Sequence, residues 1–392
     1  MKYKDITTGE QLREFCDELR DARSIAFDTE FVSERTYRPV LCLVQVSADG
    51  RLAVIDVVAV GDLTPFWEVI SEGDHETVVH AGRSEVEFCL DSVGRWPKNI
   101  FDVQIAAGLV GLEYPAAYST LTNKLLGLKS PKHETRTNWR KRPLSARQIE
   151  YALDDAEHLP KLRDTLHEKL QQLGRLDWLA EEMATWQADV DHGRSAERWR
   201  KVSGSNKLEP RGLAIPRELW KWRESEARRR DCPVRHVLRD DLIIELARRK
   251  TDDEKHIRSL RGLDRGDLRR RMGEISACIR VALELPEDEC PKKHRRHRTA
   301  KMSVLGQVLF SALGGICRQQ EIAPNLVGTP SDIRQLVAYR TSDRHGRKTP
   351  KLAKGWREQF VGRLFDDLLS GKTVIRITDP ESDCPLSIEP AS

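Results

Sequence analysis

"IAFDTEF", residues 25–31, decides how this chain is read. Ile25, Ala26 and Phe27 form an apolar run, so residues 24–31 are expected to be a buried strand. Asp28 and Glu30 then interrupt it two positions apart. Side chains at i and i+2 of a strand share a face. Both carboxylates therefore emerge together, with Thr29 on the opposite face. Two like charges held so close repel unless solvent or a cation offsets them. Taken alone, the stretch fits a strand end opening into water better than a site for Mg²⁺ or Mn²⁺, whose hard oxygen ligands it could also supply.

The surroundings read as a mixed α/β sheet. Residues 9–20 have helical periodicity. "LCLVQVSADGRLAVIDV" (41–57) reads as two strands joined at Asp49-Gly50, a hairpin signal. "TVVHA" (77–81) is a short buried strand, and "SEVEFCLDSV" (84–93) a helix after it. A further helix is expected near 103–111. Residues 145–173 are helical with a break at Pro160. Three strands in a meander followed by alternating helix and strand give that fold class. Beyond residue 195 strand signals stop. Residues 196–214 read as a linker, 215–285 as all-helical, 286–301 as a second break and 302–371 as helical again, with "KTVIRITDP" as an extended tail. The expected organisation is three modules: 1–195, 210–290 and 300–375.

Composition narrows the setting. With 39% hydrophobic and 33% charged residues, the chain can fill real cores beneath a charged surface. Basic residues number 66 and acidic residues 62, so the net charge of +4 says little about partners. The eight cysteines form no C-x-x-C pair and are scattered, which argues against a disulfide framework or structural zinc. The N-terminus lacks a signal-peptide pattern, and the apolar run "VLGQVLFSALGGIC" is too short to span a bilayer. A cytoplasmic protein is expected.

Other acids change the weight given to Asp28 and Glu30. In "YALDDAEHL", Tyr151 and Asp155 are four apart and face the same way on a helix. Asp154 points elsewhere and reads as solvated. Glu85, in "VVHAGRSEVEFCL" (78–90), opens a helix just after a buried strand, where the helix dipole favours an acid. Each has an ordinary structural reading: an exposed acid beside a core tyrosine, or a first-turn acid. His80 at the strand end reads as a core histidine.

These residues, in this order, resemble ribonuclease D, a 3′→5′ exoribonuclease family of the four-acid exonuclease superfamily in the branch with a motif tyrosine. The resemblance rests on "FDTEF" with "TYRPVLCLVQVS", on "VVHAGRSEVEFCL", on "FDVQIAAGLVG" (101–111), and on "HETRTNWRKRPLSARQIEYALDDAEHLPKL" (133–162). "ELWKWRESEARRRDCPVRHVLRDDLIIELARR" (218–249) resembles the helical HRDC-type module of helicases and ribonuclease D. "IAPNLVGTPSDIRQLV" (322–337) and "GWREQFVGRLFDDLL" (355–369) resemble a second, divergent copy. Two positions depart from the family. Glu85 stands where the family has aspartate, one methylene longer, and Asn138 stands where it often has aspartate.

The resemblance implies a ribonuclease H-like exonuclease domain followed by two helical domains. It implies hydrolysis of phosphodiester bonds with two divalent metal ions, Mg²⁺ or Mn²⁺, releasing nucleoside 5′-monophosphates. Asp28, Glu30, Glu85 and Asp155 would be the metal ligands and Tyr151 would orient water. RNA 3′ ends, precursor tRNA among them, would be substrates, and the protein would act as a monomer without a membrane. Phe31, Trp139 and Arg142 near the acids, and Lys292, Arg295 and Arg296 in "PKKHRRHRTAK", are candidate RNA contacts through stacking and phosphate binding. A DNA-directed exonuclease and a binding protein with a weakened nuclease site are the alternatives.

Overall fold

The computed structural model describes residues 2–128, 137–195, 198–292, 300–341, 349–382 and 385–391. A six-stranded sheet forms the centre of the nuclease part: β1 (Lys4–Ile6), β2 (Ser24–Val32), β3 (Val40–Ala48), β4 (Arg51–Asp56), β5 (Glu76–Val79) and β6 (Ile100–Asp102), in the spatial order β1-β4-β3-β2-β5-β6. The hairpin at Asp49-Gly50 forms as expected. Both turn residues take positive φ, 48° and 77°, and β3 and β4 pair antiparallel around them. β5 runs parallel to β2 and β6 parallel to β5. The three-residue strands β1 and β6 are too short to leave a period-2 signal.

β2 lies inside the sheet, which is why Ile25, Ala26 and Phe27 are fully buried. Phe27 packs edge-on against Phe66 and Trp67, with ring centroids 5.6 Å and 5.9 Å away. Those two rings lie on the helix Thr64–Glu72, which the sequence reading did not anticipate. The helix Arg83–Val93 packs beside it. The expected break near Pro160 is present: one helix covers Ala146–Glu157 and the next Leu159–Gln172. The seven described cysteines are all free thiols.

Contacts group the chain into two compact units where three modules were expected. One unit holds residues 1–30, 42–189 and 297–392. Its C-terminal part is joined to the nuclease part by buried charge. The Arg357 guanidinium donates to both Glu182 carboxylate oxygens and to the carbonyls of Leu326 and Val327. Burial pushes the Glu182 carboxyl up, but its bonds to Arg357 outweigh that and hold it below the usual range. Trp356 stacks on Trp178 at 5.1 Å and donates its indole N–H to Glu182. Arg175 donates to the carbonyls of Leu109, Gln320 and Glu321. "KTVIRITDP" is more than an extended tail, since Thr373–Ile377 pairs with Leu386–Pro390 as a hairpin.

The second unit holds residues 31–41 and 190–296. Its helices Pro210–Arg230, Asp240–Arg249 and Met272–Glu284 bury Leu219, Ile243, Ile275 and Ile279. The linker reading of 196–214 is corrected here. Trp199, Val202, Leu208 and Leu213 are buried in the same core, and the long helix already starts at Pro210. The basic stretch "KWRESEARRR" (221–230) has three of its arginines engaged within this unit. Arg223 is buried against Asp240 and the Leu238 carbonyl, while Arg229 and Arg230 are paired with Glu226. No described helix is long and apolar enough to cross a membrane.

Removing one partner of a buried ion pair leaves the other charge uncompensated, at a cost of about 3–5 kcal/mol. Arg357→Met is therefore expected to destabilise the first unit by about that much in urea unfolding. Adding Glu182→Met should recover part of the loss, because the stranded carboxylate is then gone.

Candidate active site

The site lies on the C-terminal half of β2, beyond the residues that pair with β5. β2 delivers Asp28 and Glu30 on one face. Asp155 comes from the helix Ala146–Glu157, which Ser145 and Gln148 start with a capping box. Asp28, Glu30 and Asp155 each present a carboxylate oxygen, and all three oxygens lie within 4.8 Å of one another. Tyr151, one turn before Asp155, is hydrogen-bonded to its carboxylate.

Glu85 enters differently. It sits in the first turn of the helix Arg83–Val93 and is 5% exposed. Its carboxylate accepts a hydrogen bond from the Thr29 hydroxyl at 2.6 Å. Glu85 is outside the trio of converging oxygens, though its charge is the largest electrostatic influence on Asp28. Thr29 does face away from Asp28 and Glu30, as the strand period requires. What the sequence did not reveal is that Glu85 meets it there.

Two further residues place these acids. Asp102 ends β6, and its carboxylate accepts from the N–H groups of Gln104 and Ile105, capping the helix Val103–Leu109. It also accepts from the N–H groups of Ala81 (3.2 Å) and Gly82 (2.9 Å), fixing the turn that starts the Glu85 helix. Gly82 is required there: a Cβ would stand 2.3 Å from the Val79 side chain. The pattern "FDVQI", an Asp between strand and helix, was the available signal for this cap. Tyr118 is the other: it donates its hydroxyl to the Asp154 carbonyl and meets His80 edge-on at 5.7 Å. His80 bonds the Ala116 carbonyl, and burial lowers its pKa, which is the core histidine expected. Asp154, expected to be solvated, is half-buried, with its carboxylate 3.8 Å from His158.

Arg142 and Trp139, two of the candidate RNA contacts, are engaged within the protein. All five N–H groups of Arg142 are engaged: two with Asp56, the others with the carbonyls of Cys42, Trp139 and Lys141. No donor remains for a phosphate, so Arg142 clamps its loop to β3 and β4. Trp139 is 6% exposed and packs against Tyr151 at 6.1 Å, a support for the tyrosine instead of a stacking platform. Phe31 is half-buried directly after Glu30. Lys292 is exposed, whereas Arg295 and Arg296 lie outside the described residues.

Electrostatics set the character of the site. Burial and the charges of Glu85, Asp155 and Glu30 push Asp28 well up. Burial with Asp155 and Glu85 pushes Glu30 up to about 8. Burial raises Glu85 to about 7 against its bond from Thr29, and raises Asp155 to about 6 against its bond from Tyr151. Burial and the nearby acids push the Tyr151 hydroxyl further up, so it stays protonated. A set of buried, mutually repelling oxygen donors fits a hard divalent cation and nothing softer.

A sequence profile of the 3′-5′ exonuclease family matches residues 3–171, and one of the HRDC domain matches residues 213–279. The ribonuclease D of Gluconacetobacter diazotrophicus is 32% identical over 381 residues, spanning 95% of this chain and 94% of the relative. That of Granulibacter bethesdensis is 34% identical over the same shares. The chain belongs to the ribonuclease D family. The crystal structure of Escherichia coli RNase D, described as an exoribonuclease involved in structured RNA processing, is 28% identical with a TM-score of 0.83, covering 95% of this chain and 99% of that one. Ribonuclease D membership makes the protein a 3′→5′ exoribonuclease that uses divalent metal ions and acts on RNA.

The raised carboxyls have a thermodynamic consequence. The folded, metal-free chain keeps protons that an unfolded chain releases above about pH 4. Because the unfolded state then binds fewer protons, stability falls as pH rises from there through about 8, where Glu30 loses its proton. Thermal unfolding in chelator is expected at a lower temperature at pH 8 than at pH 5, and Asp28→Asn should flatten that difference. A metal-free protein equally stable at both pH values contradicts the repulsion inferred here.

Proposed function

We propose that the protein trims RNA from its 3′ end, one nucleoside 5′-monophosphate at a time, at a centre made of Asp28, Glu30, Glu85, Asp155 and Tyr151. The observation that carries this reading is the convergence of the Asp28, Glu30 and Asp155 oxygens within 4.8 Å beside Tyr151. Asp28 would be the ligand common to both ions, a reading supported by the charges of Glu85, Asp155 and Glu30 that all bear on it. Glu30 and Asp155 would complete one ion site, and Glu85 would serve the second from its position beside Asp28. Two divalent ions supply charge neutralisation on the phosphate, an activated water and a stabilised leaving oxygen when bound. Tyr151, kept protonated, is a hydrogen-bond donor that steadies Asp155 and orients the attacking water. Trp139 behind it limits how far the tyrosine ring can swing.

The finer assignments follow the family. Precursor tRNA 3′ ends are the substrates we favour, met in the cytoplasm by a monomer. The segment 300–375 is read as a divergent HRDC-like module. Phe31, directly after Glu30, would pack on the terminal base. Lys292, Arg295 and Arg296 belong to a run of six Lys/Arg between 292 and 301 with no acid, a charge pattern suited to phosphates.

With a 3′-extended RNA and Mg²⁺ or Mn²⁺, the wild type is expected to release mononucleotides, and Asp155→Asn to slow this by more than about 100-fold. No trimming with either metal, or equal trimming by the variant, overturns the assignment. Each phosphate contact on a single strand contributes about 0.7 to the salt slope of binding. Neutralising Lys292, Lys293, Arg295 and Arg296 together should flatten that slope, and an unchanged slope removes this run from the RNA-binding surface.

A further inference from the structure

Glu85 poses a physical problem. Its side chain has one more methylene, and one more torsion, than the aspartate of its family, so it can place its charge in more positions around Asp28. Fixing a buried glutamate in one rotamer carries a cost in conformational entropy. Something must hold it if it is to act on one metal position. Among the described residues it has one side-chain hydrogen-bond partner: the Thr29 hydroxyl, 2.6 Å from Glu85 Oε1, with both residues nearly inaccessible to solvent. Thr29 is itself fixed, because it sits in β2 between the two acids that line the opposite face.

We infer that Thr29 is a positioning residue for the second metal site: its hydroxyl sets the rotamer of Glu85 and takes up the length of the extra methylene. This rests on the assignment of Glu85 as an acid of the nuclease centre. Thr29 touches neither substrate nor metal, and acts only through Glu85. Hydrogen-bonding partners that orient ligating carboxylates are worth about 10–100-fold in metal affinity or activity. The role is therefore conditional on residue 85. A carboxylate one methylene shorter does not extend to the same hydroxyl from the same backbone position, so the threonine loses its influence when Glu85 is replaced by aspartate.

A double-mutant cycle reads this directly. Thr29→Val and Thr29→Ala are each made in the wild type and in Glu85→Asp, with two measurements on the full chain: Mn²⁺ binding by calorimetry without RNA, and kcat and KM on a 3′-extended RNA. In the wild-type background both replacements are expected to weaken Mn²⁺ binding and lower kcat by about tenfold, leaving KM within about twofold. Thr29→Ser, which keeps the hydroxyl, should restore both. In the Glu85→Asp background the same replacements should change either quantity by less than about twofold, by the same argument from reach. An equal loss in both backgrounds shows that Thr29 supports β2 generally and overturns the inference, as does unchanged Mn²⁺ binding in Thr29→Ala. Thr29→Ala creates no new methyl contact, so it still reports should the valine variant fail to fold. If the wild type binds Mn²⁺ but trims no RNA, the nuclease assignment fails, while the calorimetric cycle still reads the Thr29–Glu85 coupling.

Discussion

Like-charge repulsion among buried carboxylates is the constraint around which this structure is arranged. Asp28, Glu30 and Asp155 bring oxygens within 4.8 Å of one another, and Glu85 stands beside them under cover of the protein. Free chains do not hold acids this way, because each would be driven toward water or toward a proton. Here the acids stay because they are carried by elements that cannot yield. β2 lies inside a six-stranded sheet and is locked from behind by Phe27 against Phe66 and Trp67. The Asp155 helix is capped at its start and backed at Tyr151 by Trp139. The cost of holding the charges is met by the fold, and a divalent cation is the partner that relieves it.

Several charged residues near the site serve this holding function. Arg142 uses every donor it has on the loop, β3 and β4, and Asp102 gathers four backbone N–H groups at the junction of two turns. Buried groups of this kind are stable only when fully satisfied, and both are. The same logic joins the C-terminal segment to the nuclease part through Glu182 and Arg357. That segment is thus part of the scaffold of the first unit.

The elements legible in the sequence were those with a local cause. The Asp49-Gly50 turn announces itself because few residue pairs tolerate two positive φ angles in succession. The helix break before Pro160 and the one-turn spacing of Tyr151 and Asp155 are likewise properties of short segments. What stayed hidden has distant causes. β1 and β6 are three residues each and exist only because β4 and β5 offer edges to pair with. Trp199, Val202 and Leu208 look like linker residues until the core they fill is formed. Trp139 and Arg142 have the composition of an RNA-binding patch, and only their partners, Tyr151 and Asp56, show otherwise.

By itself the sequence determined the candidates: two acids on one strand face, a tyrosine and an acid one helical turn apart, and a fourth acid at a helix start, in an order whose resemblance to ribonuclease D implies a metal-dependent nuclease. Spacing within a strand or helix is a property of the backbone, so it survives without knowledge of the fold. Only the tertiary structure decided which of those acids converge and how the last is held. Asp28, Glu30 and Asp155 meet because a strand and a helix more than a hundred residues apart pack together, and Glu85 turns to Thr29 because the pairing of β5 with β2 brings that helix start beside it. Long-range packing carries no local signature, and that is why the one acid that departs from its family could be found in the sequence but not understood there.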